Sequence, residues 1–148
     1  MSTQPKIAKK SIPGLVTASI LAVLTLGAFY ILQEYGPVSA VRRFHMALAR
    51  GDKASEQQVI DEPVKDESVQ YLEKIVGGLI GQGVQPQLAR MDSQGDQDDV
   101  AVVYHLPDGG TLAIIWIVER KKSIWKIDAH STATALYQSL HGSEGQSG

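Results

Sequence analysis

Apolar residues run almost unbroken from Ile12 to Leu32, and no Asp, Glu, Lys or Arg occurs between Ser11 and Gln33. As a helix that run extends roughly 31 Å at ~1.5 Å per residue, enough to cross a ~30 Å hydrocarbon layer. The pattern therefore predicts a transmembrane helix over 12–33 after a short tail over 1–11. Pro13 falls in the first turn, where its missing N–H breaks no helical bond. Tyr30 falls near the far end, where an aromatic ring favours the interface. Lys6, Lys9 and Lys10 precede the span with no acidic residue among them. Positive charge stays on the cytoplasmic side, which places the N-terminus inside and the rest of the chain outside. Arg42 and Arg43, soon after the span, oppose that bias in part. A cleaved signal peptide is the competing reading, with Val38-Ser39-Ala40 as a small-residue cleavage site. The run exceeds the ~7–15 apolar residues of such a signal, and cutting there would remove the start of the next helix, so an uncleaved anchor is expected. Gly14, Ala18 and Ala22 recur every fourth residue, a small-residue stripe through which two anchors could pack as a homodimer.

Beyond Gly36 the period is first helical. Val41, Phe44 and Leu48, with Ala40 and Ala47 beside them, predict a helix opened by Pro37 and stopped at Gly51. A short helix is expected from Ala54 to Ile60, broken by Asp61-Glu62-Pro63. A longer one is expected from Asp66 to Ile80, with Val69, Leu72, Ile75, Val76 and Leu79 as its apolar face. From Gln85 the period becomes alternating. Gln87–Met91 reads as a short edge strand, Ser93–Asp98 as a polar turn, and Val100, Val102, Tyr104 and Leu106 as one face of the next strand. Pro107-Asp108-Gly109-Gly110 is a hairpin signal. Leu112–Val118, nearly all apolar, is expected to be covered on both faces. Ile124–Ala129 is the last strand, placing Lys126, Asp128 and His130 together on one face. Ala135–Leu140 is weakly amphipathic and could add a final helix turn, within a tail over 131–148 that is expected to be partly disordered, from Gly142 onward. Helices followed by a four-stranded antiparallel meander make an α+β domain over 37–130, with the helices packed on the sheet.

Composition narrows the chemistry. The 148-residue chain carries a formal charge of −2 and no cysteine, which removes disulfides, thiolate catalysis and cysteine-held metals. Outside the N-terminus no basic run suggests nucleic-acid binding.

The segment Ala40-Val41-Arg42-Arg43-Phe44-His45-Met46-Ala47-Leu48-Ala49-Arg50-Gly51-Asp52 and the strand Trp125-Lys126-Ile127-Asp128-Ala129 resemble the nuclear transport factor two-like superfamily, also grouped with cystatin-like cones, in its membrane-anchored bacterial versions. The likeness covers Pro37 to His130 in element order, and those two segments carry it in sequence. It implies a cone between helices and sheet, shallow here because the first strand is short. The superfamily spans isomerases and dehydratases, noncatalytic binders and protein-interaction modules, so the fold does not choose the function.

An isomerase-like site would need a carboxylate or His base with an acid or oxyanion donor. Tyr71, Tyr104, His105, Asp128 and His130 are the nearest groups. Tyr104 and His105 point to opposite faces of one strand. Asp128 and His130 share a face, but Lys126 beside them marks it as solvated. Asp128, His130 and Tyr104 are thus candidate ligand contacts, with no catalytic residue assigned. No metal site is expected, since His45, His105, His130 and His141 are scattered and Asp96, Asp98 and Asp99 lack calcium-loop spacing. No cofactor motif occurs; the glycines from Gly77 to Gly83 close a helix and do not open one. Arg42, Arg43 and Arg50 form a basic group near the membrane exit, able to meet lipid headgroups or an acidic partner. Trp116 and Trp125 are expected in the core. The sequence points to a noncatalytic, membrane-tethered, extracytoplasmic binding or scaffolding module. The alternatives are an anchored ligand binder or isomerase-like enzyme, and an assembly factor with a protein partner.

Overall fold

A computed structural model describes residues 14–25 and 36–142, which fall in two units divided after Glu34.

In the first unit residues 14–25 form helix α1, whose side chains are all exposed. Its Ser19 and Thr25 hydroxyls donate to the carbonyls of Leu15 and Leu21, both at 2.8 Å, turning the polar groups back onto the backbone. Among the described residues no helix is long and apolar enough to cross a membrane. The remainder of the expected span, including Tyr30, and the lysines before it lie outside the described residues. Gly14, Ala18 and Ala22 are all within α1.

The second unit is α+β. Three helices come first: α2 (Pro37–Arg50), α3 (Lys53–Val59) and α4 (Glu67–Gly81). The strands β1 (Pro86–Gln94), β2 (Gln97–His105), β3 (Thr111–Lys121) and β4 (Ile124–Ile127) follow, then α5 (Ala129–His141). The sheet is an antiparallel meander in the order β1-β2-β3-β4. Helix α2 stops where Gly51 takes a left-handed conformation (φ 65°) and the Asp52 N–H closes onto the Ala47 carbonyl at 2.9 Å, a conformation glycine adopts without a Cβ penalty. The Asp52 carboxylate then accepts from Ser55 N–H to open α3, and Asp66 accepts from Ser68 N–H to open α4. The core forms between these helices and one sheet face. Val41 and Phe44 of α2, Leu72 and Val76 of α4, and Val102, Tyr104, Ile114 and Trp116 of the sheet are essentially inaccessible.

Four expectations are corrected. First, β1 is not a short strand ending at Met91. It runs to Gln94 and pairs with β2 through Gln94 and Gln97, with a register shift between Arg90 and Asp92. Backbone pairing carries it through polar residues, as an exposed edge permits. Secondly, β3 is buried on one face only. Ile114, Trp116 and Val118 point inward, while Ala113 and Ile115 are exposed, because no helix among the described residues lies across the outer face. Thirdly, Trp125 is only half-buried, packed against the core with the Arg120 guanidinium 5.6 Å over its ring.

The fourth correction concerns the chain end. The last strand stops at Ile127, and the helix turn read at Ala135–Leu140 is part of a full helix, α5, that takes in residues 131–141 of the expected tail; residues 143–148 lie outside the described residues. Asp128 ends the strand because its carboxylate accepts from the Ser131 N–H at 2.9 Å and the Ser131 hydroxyl at 2.6 Å, an N-cap. Glu62 adds a second clamp, taking the N–H groups of Ala129 (2.9 Å) and His130 (2.8 Å) on its two oxygens. Asp128 and His130 therefore do not share a sheet face. Helix α5 takes the place a longer β4 would fill. The Ile117 carbonyl accepts from Asp128 N–H at 2.9 Å, and the Ile117 N–H donates to the Thr132 hydroxyl at 3.0 Å. On the far side of β4, Ile60 bridges to Ile127 and the Asp61 N–H reaches the Ile127 carbonyl at 3.0 Å. The outer side of β1 has no ladder partner among the described residues. Asp128→Ala should cost about 0.5–2 kcal/mol of stability through loss of the cap. Urea unfolding measures this, and a wild-type midpoint would mean that Glu62 and the apolar face hold α5 without the Asp128 cap.

Candidate functional site

A concavity of about 370 Å³ lies between α2, the end of α4 and the start of β1. It exists because α2 presents Arg42, His45, Met46 and Ala49 on one face at helical spacing. Across from them stand Ile80 of the last turn of α4, Val84 of the connection, and Pro86 and Leu88 of β1. Val84 and His45 are buried, while Arg42, Met46 and Ala49 are exposed at the rim with Gln85.

His45 forms the floor. It sits one residue after Phe44 on the core-facing side of α2, only 5% exposed. Its Nδ1 lies 2.7 Å from the Val41 carbonyl and its Nε2 lies 2.5 Å from the Tyr104 hydroxyl. The carbonyl can only accept, so Nδ1 carries the proton and Nε2 accepts from Tyr104. Burial lowers the His45 pKa, and the Val41 hydrogen bond only partly offsets it. The imidazole is therefore neutral at pH 7. Burial likewise raises the Tyr104 pKa, opposed by the Trp116 indole, and the phenol stays protonated. Aromatic rings pin the pair: Trp116 lies 5.2 Å and Tyr104 5.8 Å from the His45 ring, with Phe44 edge-on.

Of the residues singled out in the sequence, Tyr104 reaches this region, but from below, fully buried behind His45. Arg42 is at the mouth. Arg50 is exposed and Arg43 half-buried, and neither lines the cavity. Asp128 is the α5 cap, its carboxyl held low; burial opposes the charge, but the Ser131 bonds outweigh it. His130 is exposed, 3.3 Å from the Ser68 hydroxyl. Neither lines the α2–β1 cavity. His105 is exposed, and Tyr71 borders a separate open groove between α4 and α5. Asp96 is paired with Arg120 at 2.7 Å, while Asp98 and Asp99, adjacent on β2, face opposite sides. Among the described residues no cluster of His, Asp or Glu could hold a metal.

No protein-family model matches the chain, and no curated protein matches it.

Proposed function

We propose that the chain is a noncatalytic, membrane-tethered binding module of the extracytoplasmic side, built on the nuclear transport factor two-like plan, that holds a small ligand between α2 and β1. The observation that carries this reading is the cavity above a neutral, fully engaged His45–Tyr104 pair. Its size falls in the roughly 300–1,000 Å³ range of ligand sites, and its walls are mostly apolar. A general base needs a lone pair within reach of substrate. Here the accepting nitrogen of His45 is already occupied by Tyr104, and no carboxylate lines the cavity. The pair thus sets the shape and polarity of a floor. The tether is supported by the uncharged run from Ser11 to Gln33 and by the all-round apolar exposure of α1, where Leu15, Val16, Ile20, Leu21, Val23 and Leu24 are each more than half exposed. A helix apolar on every side belongs in a protein core or a bilayer.

One preparation tests both parts. The full chain should stay in membranes washed with high salt and carbonate. Those membranes should take up an uncharged apolar fluorescent probe, and Ala49→Trp, which fills the mouth, should abolish the protein-dependent fraction. Release by the wash would remove the tether, and uptake unaffected by Ala49→Trp would remove the site.

A further inference from the structure

The polar groups around the cavity are unequally committed. At the floor, the His45 Nδ1–H is used by Val41 and the Tyr104 hydroxyl by His45, so the floor presents a ligand with no unpaired donor. At the rim, the Arg42 guanidinium and the Gln85 amide make no side-chain hydrogen bond or ion pair among the described residues. Arg42 is also the one charged residue lining the cavity. Other surface cations, Lys65 and Lys74 among them, also lack an ion pair among the described residues; Arg42 differs from them in standing at the rim of an apolar cavity. Between rim and floor the walls are hydrocarbon, from Ile80, Val84 and Leu88.

Resting on the small-ligand reading above, we infer that the ligand is a free single-chain amphiphile with a carboxylate head. The carboxylate lies at the rim, accepting from the planar guanidinium of Arg42 through two parallel N–H bonds, with the Gln85 amide as an added donor. The alkyl chain enters tail-first against Ile80, Val84 and Leu88 and stops above His45. An amine head would face Arg42 with like charge. A polar tail would be buried against walls that cannot hydrogen-bond it, which is the costly case. Because Arg42 stays at the solvent-exposed rim, the head keeps part of its hydration. Selectivity for the anion, more than raw affinity, is the expected outcome.

The full chain in phosphatidylcholine nanodiscs, titrated calorimetrically with octanoate, octanol and octylammonium, separates the possibilities. Empty nanodiscs give the background for partition into lipid. Octanoate should bind about ten-fold more tightly than octanol, the worth of a charge-assisted hydrogen bond, and octylammonium most weakly. Arg42→Gln should close the gap between octanoate and octanol, while Arg42→Lys should restore part of it. Equal binding of octanoate and octanol to wild type would overturn the carboxylate inference while leaving the cavity a binding site. A gap that survives Arg42→Gln would overturn the role given to Arg42. No saturable binding of any of the three would overturn both the inference and the reading beneath it.

Discussion

Phe44→Ala is expected to lower the unfolding free energy by about 3–5 kcal/mol, the usual cost of truncating a buried aromatic residue. Phe44 is 1% exposed, and its ring meets Trp116 at a centroid distance of 5.1 Å and the edge of His45 at 6.1 Å. Removing it leaves a void among residues that cannot all collapse inward, because Trp116 is fixed on β3 and His45 on α2. The loss should also reach the α2–β1 cavity. With one wall of its slot gone, the His45 ring can tilt, and the floor of the cavity with it. Urea unfolding gives the energy, and the His45 ring-proton linewidths report the loosening. A loss below about 1 kcal/mol would mean that the site packs far less tightly than these distances imply.

The second large effect is a pH dependence. Glu56 on α3 is entirely buried, with Lys53 Nζ 3.2 Å from its Oε2 and 2.7 Å from Glu73 Oε1. Burial first, and the neighbouring Glu73 second, push the Glu56 pKa up from 4.5 to about 7, with Lys53 pulling the other way. A carboxyl with a raised folded-state pKa binds protons more tightly when folded. Its stabilising contribution is complete below pH 4.5 and is lost as pH rises through about 7. Glu73 behaves oppositely. Burial works against its charge, but hydrogen bonds with Glu56 and Lys53 outweigh that and hold its pKa low. Its contribution is therefore lost only as pH falls below the ordinary carboxylate range. Buried His45, with its lowered pKa, gains stability as pH rises toward 6.5, so it partly masks the Glu56 slope in wild type. Comparison with Glu56→Gln cancels that term. The variant should match wild type near pH 4.5 and exceed it by about 1–3 kcal/mol at pH 8. A difference that does not change between those pH values would show that Glu56 is not buried as a shared acid.

The helices and β2 were legible because each has one dominant period. Val41, Phe44 and Leu48 mark the inner face of α2, as Val100, Val102 and Tyr104 mark that of β2. Asp128 shows where such reasoning fails. Trp125, Ile127 and Ala129 continue the alternation of β4, which conceals that Asp128-Ala129-His130-Ser131 is also a capping sequence leading to Ala133 and Leu136 at helical spacing. The cap overrode the alternation because its bonds satisfy N–H groups that a longer strand would have left facing solvent. The apolar run in β3 misleads for a related reason: an apolar residue states a tolerance for burial, not a coverer, and Ile115 remains 43% exposed. The His45–Tyr104 pair was invisible because its partners stand 59 positions apart and no local period links them. The one available signal was two polar side chains at core-facing positions, His45 beside Phe44 and Tyr104 in line with Val102, each requiring a partner from the other element.

The margins of the sheet carry a consequence for self-association. Among the described residues β4 meets Ile60 through a single bridge at Ile127, while the nine-residue β1 has no ladder partner along its outer side. The longer open margin is therefore the one where a second copy would find the most backbone groups to pair with.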